Sequence, residues 1–378
     1  MGKAAKEQLN RALSEHLNTI HETLQILDQT PASSLKKVSW NDVVQMGEQV
    51  SKQATTVAEV SMLGVYQMDE LECFTLEKPL EVKVLEENMA AYFNMLQGFL
   101  LLSHGSSVGA GSTLSTCIYA SIKQVVDSSF MLLKEAVSSY GSHDKAQQLS
   151  IPQLVGTVWN VCSALKKTPS TNVMAIGRAM TQVAVSIKDV LREMKELKPA
   201  SFDLADEASD KVDIKAEQKP DDDNDSFNGD LGNDLSPEEM KIANLTTSVV
   251  SETLAFIKEL IRSIASFLKQ ESVDGCAIST DSLEKLLVLS QGIGVQIDEL
   301  GACLYPPQEI SAIKAALEKI SSITCETELE LGNLKGSSND FVTACTGLRN
   351  SLKQLESELG CLGTSNLVPE MENLALSN

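Results

Sequence analysis

KPASFDLADEASDKVDIKAEQKPDDDNDSFNGDLGNDL, residues Lys198 to Leu235, decides how the chain is organised. It holds 12 acidic residues against 4 lysines, a net charge of −8. Its apolar residues are sparse and keep neither a helical nor a strand period. Such a composition cannot bury enough apolar surface to offset the entropy of ordering the backbone. The stretch reads as a disordered acidic linker, 198–235. On both sides of it the sequence turns to amphipathic helix.

The expected architecture is therefore all-α: two antiparallel helical bundles joined by an acidic disordered linker. The first bundle takes 1–197, the second 236–364, and 365–378 reads as a frayed tail. The composition agrees with helix-on-helix cores. Hydrophobic residues make up 43% of the 378 positions but aromatics only 4%, so Leu, Ile, Val, Ala and Met must fill the interior. No segment alternates over strand length, and no sheet is expected.

In the first bundle, Leu9, Leu13, Leu17, Ile20, Leu24 and Leu27 recur at steps of four and three, predicting a helix over 3–28. Ser39 is placed to cap a second helix running to Met68. Pro79 separates a third helix, 82–102. Glycines 105 to 111 break the chain, and Ser112 or Thr113 caps a fourth helix to Ser139. A short helix from Ile151 to Leu165 and a long one from Thr171 to Leu197 complete the bundle.

The second bundle opens on Ser236-Pro237-Glu238-Glu239, a capping box with proline at the first helical position. The helix behind it, to Lys269, carries two adjacent apolar stripes and reads as the central helix of its bundle. Thr280 or Asp281 caps the next helix, which Tyr305-Pro306-Pro307 stops. Another helix bears Ile310, Ile313, Leu317, Ile320 and Ile323, with a further piece over 329–334. The last repeats Phe341, Cys345, Leu348, Leu352, Leu355, Leu359 and Leu362, a heptad seam that reads as one strip of bundle core.

Charge narrows the partners. The whole chain carries −21, of which 236–378 alone carries −10. Phosphate backbones repel such a chain, so direct nucleic-acid binding is not expected, and a basic partner surface is the complement. No apolar run reaches the length of a bilayer crossing, and no membrane association is expected. The N-terminus has no apolar signal core, and the eight cysteines show no CxxC spacing. A reduced intracellular protein is the expectation.

No catalytic, cofactor or metal site emerges. Gly105-Ser106-Ser107-Val108-Gly109 matches G-x-S-x-G, but a nucleophile elbow needs a strand before it, and a helix precedes it here. His16, His21, His104 and His143 share no metal-ligand spacing. Asp221, Asp222, Asp223 and Asp225 lack the closing Glu of a calcium loop and read as a solvated interaction surface for a basic partner. Leu71-Glu72-Cys73-Phe74-Thr75 has Thr where an LxCxE peptide needs Glu. Arg11-Ala12-Leu13, a minimal cyclin-docking match, lies on a core stripe. Thr30-Pro31, Thr168-Pro169 and Ser236-Pro237 fit minimal proline-directed kinase sites. Ser236 is the candidate phosphosite, because phosphate is favoured at a helix N-terminus.

Three segments resemble the cyclin-D-interacting, or cyclin-D-binding, protein family. They are Ile297-Asp298-Glu299-Leu300-Gly301-Ala302-Cys303-Leu304-Tyr305-Pro306-Pro307, Val158-Trp159-Asn160-Val161-Cys162 followed by Pro169-Ser170-Thr171-Asn172, and Gly111-Ser112-Thr113-Leu114. The helix order, the acidic middle and the length agree too. The resemblance implies a non-enzymatic, all-helical regulator of nucleus and cytoplasm without cofactors. Its partners would be D-type cyclins or helix-loop-helix transcription factors, and its role negative control of cell-cycle progression. The family motifs name no binding residues to carry over. Read without the resemblance, bundles in series also fit a vinculin- or talin-like cytoskeletal scaffold. A chain at −21 is a poor match for acidic actin.

Overall fold

Leu, Ile, Val and Ala at helical spacing, interrupted only by Gly, Pro and polar clusters, produce helices throughout. The computed structural model describes residues 2–27, 35–66, 78–140, 145–199, 234–274, 279–334 and 338–365. In order these give α1 (Gly2–Leu27), α2 (Trp40–Tyr66), α3 (Lys78–Ser106), α4 (Ser112–Ser138), α5 (Lys145–Ala164), α6 (Asn172–Met194), α7 (Pro237–Asp274), α8 (Thr280–Ala302), α9 (Ile310–Asn333) and α10 (Asn339–Ser365). The fold is all-α. The one departure is a two-residue parallel pair, β1 (Lys198–Pro199) with β2 (Asp234–Leu235). Two residues are too few to show an alternating pattern, so no strand is expected there from spacing.

The chain divides into two compact units, Met1–Ile176 and Gly177–Asn378. In the first, α2 lies between α3 and α5, α4 packs on α5, and α1 packs on α3 and α4. The predicted stripe of α1 faces inward: Leu9, Leu13, Ile20 and Leu24 are buried. Ser39 caps α2, its hydroxyl accepting the Asn41 N–H at 3.2 Å. The buried Tyr92 hydroxyl donates to Ser129 Oγ at 2.8 Å, and that hydroxyl donates to Val125 O at 2.7 Å, so the phenol brings no unpaired polar atom into the core.

Two local readings need correction in this unit. The cap of α4 is Gly111, not Ser112 or Thr113. Asn172 explains the shift: its side chain accepts the Gly111 N–H at 2.8 Å and donates to Gly109 O at 2.9 Å, holding the turn from outside. Gly109 itself sits at φ +75°, a left-handed conformation that glycine alone adopts without strain. Secondly, α5 starts at Lys145, ahead of the expected Ile151, and contains Pro152. In the G-x-S-x-G match, Ser106 donates to Ser103 O and Ser107 to His104 O, both at the end of α3. Both hydroxyls close the helix terminus.

In the second unit α7 packs on α10 and touches α8, and α9 packs on α8 and α10. Charged contacts fix the directions. Lys241 Nζ near the start of α7 lies 2.6 Å from Glu358 near the end of α10. Lys285 Nζ near the start of α8 lies 2.8 Å from Glu330 near the end of α9. Each pair is antiparallel. The central position read for α7 holds: Val249, Val250, Phe256, Ile257, Leu260 and Ile264 are fully buried. Ser279 caps α8, one residue before the expected Thr280. The expected break before 329 is absent, and α9 is continuous.

Most of α6 falls in this unit, although the sequence placed that helix last in the first bundle. The physical reason is close packing on α8. A Cβ on Gly294 would stand 3.3 Å from Val183 Cγ1, and one on Gly301 would stand 3.0 Å from Val190 Cγ1. Both positions advance by seven, so α6 runs parallel to α8. The acidic stretch therefore starts and ends in the same unit, where β1 and β2 pair Lys198 with Asp234 and Pro199 with Leu235. Residues 200–233, with Asp221, Asp222, Asp223 and Asp225, lie outside the described residues, and so does the disorder expected of them.

The heptad seam of α10 is core. Phe341, Cys345, Leu348, Leu352, Leu355 and Leu359 are all buried. Leu352→Ala should lower unfolding free energy by about 3 kcal/mol in a urea titration. Val342→Ala, at a position 53% exposed, should stay within about 0.5 kcal/mol of the parent.

Candidate interaction site

The segment Ile297 to Pro307 splits between two faces. Ile297, Leu300 and Leu304 are fully buried and Cys303 nearly so, all directed at the bundle core. Asp298, Gly301, Ala302 and Tyr305 instead line an open cleft of about 320 Å³ against the end of α6. The facing wall is Val190, Glu193 and Met194 of α6, with Leu197 just beyond its end. Tyr305 remains 45% exposed, an unusual state for an aromatic ring at the edge of an apolar cleft. Among the described residues, the charged groups lining the cleft are the Glu193 and Asp298 carboxylates.

The loop that carries Tyr305 is pinned to the start of α7. Gln308 donates from Nε2 to Glu239 O at 3.1 Å and to Leu304 O at 3.2 Å. Glu239 belongs to the capping box expected from the sequence. The Ser236 N–H donates to Glu239 Oε2 at 2.9 Å, and the Glu239 N–H donates to Ser236 Oγ at 3.2 Å. The Ser236 N–H holds the Glu239 carboxyl below its usual range; burial opposes this, and the Ser236 hydroxyl and Gln308 N–H add to it. Ser236, the candidate phosphosite, is half-buried, and its neighbour Leu235 is fully buried. Its hydroxyl therefore has a complete structural role as a helix cap.

Cys303, beside the cleft, is held in its thiol form. Burial pushes its pKa up, and the Glu299 and Glu309 carboxylates push in the same direction. It packs as a small hydrophobe. The second family-like segment behaves similarly in the first unit. Val158 and Cys162 are buried, while Trp159 lies outside and shares its indole N–H between Ser51 O and Thr55 Oγ1, each at 3.2 Å. Among the described residues no helix is long and apolar enough to cross a membrane.

Sequence reasoning found Tyr305, Asp298 and Gly301 as a signature but not as a cleft, because the opposite wall was assigned to the other bundle. Glycines at 294 and 301, seven apart on one helix, were the available signal for a close neighbour.

Residues 42–200 match the family model described as Grap2 and cyclin-D-interacting, N-terminal, and residues 220–328 match its C-terminal counterpart. The chain belongs to the Grap2 and cyclin-D-interacting family. The N-terminal match takes in all of α6, and the C-terminal match includes α8 with the Tyr305 loop, so the cleft is walled by both. A curated relative, Cyclin-D1-binding protein 1 homolog of Xenopus laevis, is 25% identical over 215 residues, or 56% of this chain. The match spans 59% of that relative's own length.

Two substitutions test the construction of the site. Gly301→Val should drive α6 away from α8 and cost about 1–3 kcal/mol, read by urea unfolding, with faster amide exchange over 187–197. Ser236→Ala should cost about 1 kcal/mol through loss of the cap. Glu239→Gln keeps the shape of the box but loses the carboxylate charge, so it should be somewhat less stable than the parent at neutral pH and converge with it in acid. In the parent, the lowered Glu239 pKa contributes stability that is full above the ordinary carboxyl range. That contribution is lost as pH falls through the lowered value. The decline of Tm between about pH 5 and pH 2.5 should therefore be shallower in Glu239→Gln, measured by differential scanning calorimetry.

Proposed function

We propose that this protein is a non-enzymatic interaction module that holds a D-type cyclin or a helix-loop-helix partner out of its normal assembly, restraining cell-cycle progression. The observation that carries the reading is membership of a family described by its interaction with cyclin D, together with the placement of the most family-like segment on an open apolar cleft. Asp298, Ala302 and Tyr305 supply the contact. The Asp221, Asp222, Asp223 and Asp225 run adds a negative surface for basic groups of the partner. Action in both cytoplasm and nucleus belongs to the same reading, as does control through Ser236. Phosphate there would compete with the Glu239 carboxylate for the N–H groups of the first turn.

Capture of purified D-type cyclin and helix-loop-helix proteins by the full chain tests the reading. The expected result is retention by the parent, at least tenfold weaker retention by Ala302→Arg, and altered retention by Ser236→Asp at unchanged helical content. No retention above an unrelated acidic helical bundle overturns the function. Equal retention by parent and Ala302→Arg overturns the cleft as its site. Sedimentation with actin filaments tests the cytoskeletal alternative, and the expected result is that the chain stays in the supernatant.

A further inference from the structure

The outward face of α8 carries apolar side chains at heptad spacing. Val288 and Val295 are 63% and 62% exposed, and Ala302, seven residues further, lines the cleft beside Tyr305. On a helix of 3.6 residues per turn these three positions stay within about 40° of one line. A ridge of β-branched residues in water is an unusual use of a helix surface that could have been polar. The line continues into the cleft, so an apolar track, interrupted by the exposed Gln291 and Asp298, runs along α8 and ends in a pocket large enough for a single bulky side chain. No part of the described chain packs on its outer side at Val288 or Val295.

The cleft end of this track is acidic. Glu193 and Asp298 line the cleft, and the helical spacing of α6 puts Asp189 on the same side as Glu193. Arg192, however, lies only about 60° from Asp189 and pairs with its carboxylate at 3.3 Å, so on α6 the charge of the cleft is that of Glu193. The helix is not acidic overall. Among the described residues, both charged side chains that line the cleft are nonetheless carboxylates.

We infer that the α6–α8 track receives one face of a basic amphipathic helix from the partner, with apolar residues at heptad spacing along Val288, Val295 and Ala302, a bulky residue in the Tyr305 pocket, and Lys or Arg beside Glu193 and Asp298. This deepens the proposed function and rests on its placement of the contact at the cleft. Heptad-spaced apolar residues are the complement that a helical ridge selects, since knobs of one helix fill holes of the other. The carboxylates then set orientation and reject acidic helices, which selects among partners more than it adds affinity.

The test uses the full chain and two labelled, helical 18-residue peptides that share a Leu stripe at heptad spacing. One carries Lys and Arg on its flanks, the other Glu. Fluorescence anisotropy at about 150 mM salt should show the basic peptide binding at least tenfold more tightly. Glu193→Lys with Asp298→Lys should reverse the order. A control charge change on other helices, Glu318→Lys with Glu356→Lys, should leave it in place. Val288→Asp with Val295→Asp should abolish binding of both peptides; both valines are exposed, so circular dichroism should be unchanged. Equal binding of the two peptides, no binding of either, or loss of preference in the control as great as in the cleft pair overturns the inference. None of these results alters the cyclin retention experiment, whose dependence on Ala302 stands or falls separately.

Discussion

The approach of α6 to α8 shapes the cleft of the second unit. Two glycines one heptad apart remove the side chains that would otherwise hold the helices apart, and the Val183 and Val190 methyl groups occupy that space. A contact so close tolerates little adjustment, because protein interiors are packed near crystalline density. It fixes both the register and the parallel sense of the pair. It also makes the cleft. With Val190 beside Gly301, the last turn of α8 lies against the last turns of α6, and the cleft is walled by both helix ends together with Leu197 and Tyr305 just beyond them.

A core poor in aromatics places its polar atoms economically. Thr246, Thr253, Ser290 and Thr324 are fully buried in the second unit, yet each hydroxyl donates to the carbonyl four residues before it, at 2.7–2.8 Å. No partner helix has to supply an acceptor. Small side chains at these positions let helices approach without the volume of Leu or Phe. The large rings that do occur are grouped, with Phe256 and Phe341 stacked obliquely at 5.4 Å between α7 and α10. Those two helices are consequently the rigid pair on which the unit is built, and the Gln308 contact to Glu239 hangs the Tyr305 loop from its end.

Helices, caps and core stripes were legible because they are local. The α10 seam, the Ser236 box and the inward face of α1 follow from spacing alone, and all are where the spacing puts them. Small shifts of boundary have identifiable causes, such as Asn172 reaching across 61 residues to take the Gly111 N–H in place of a local cap. What was not legible is which helices share a core. The acidic stretch marks a change of composition, and a change of composition resembles a domain boundary whether or not the chain returns to the same body. α6 sits before that stretch in sequence and largely with the helices after it in space. The cleft was missed for the same reason, since its two walls come from opposite sides of the stretch.

That return of the chain carries an energetic demand. Bringing Pro199 and Asp234 together closes a segment of 34 residues, numbered 200–233. Loop closure of that length costs on the order of 3 kcal/mol, and a net charge of −8 over the same residues adds self-repulsion. A two-residue strand pair alone would not hold it. The anchor is therefore compound: Leu235 is fully buried, the capping box follows at once, and Gln308 ties that box to the Tyr305 loop. The negative segment departs two residues after Leu197 and re-enters at the base of α7, so both of its ends lie at the end of the unit that bears the cleft.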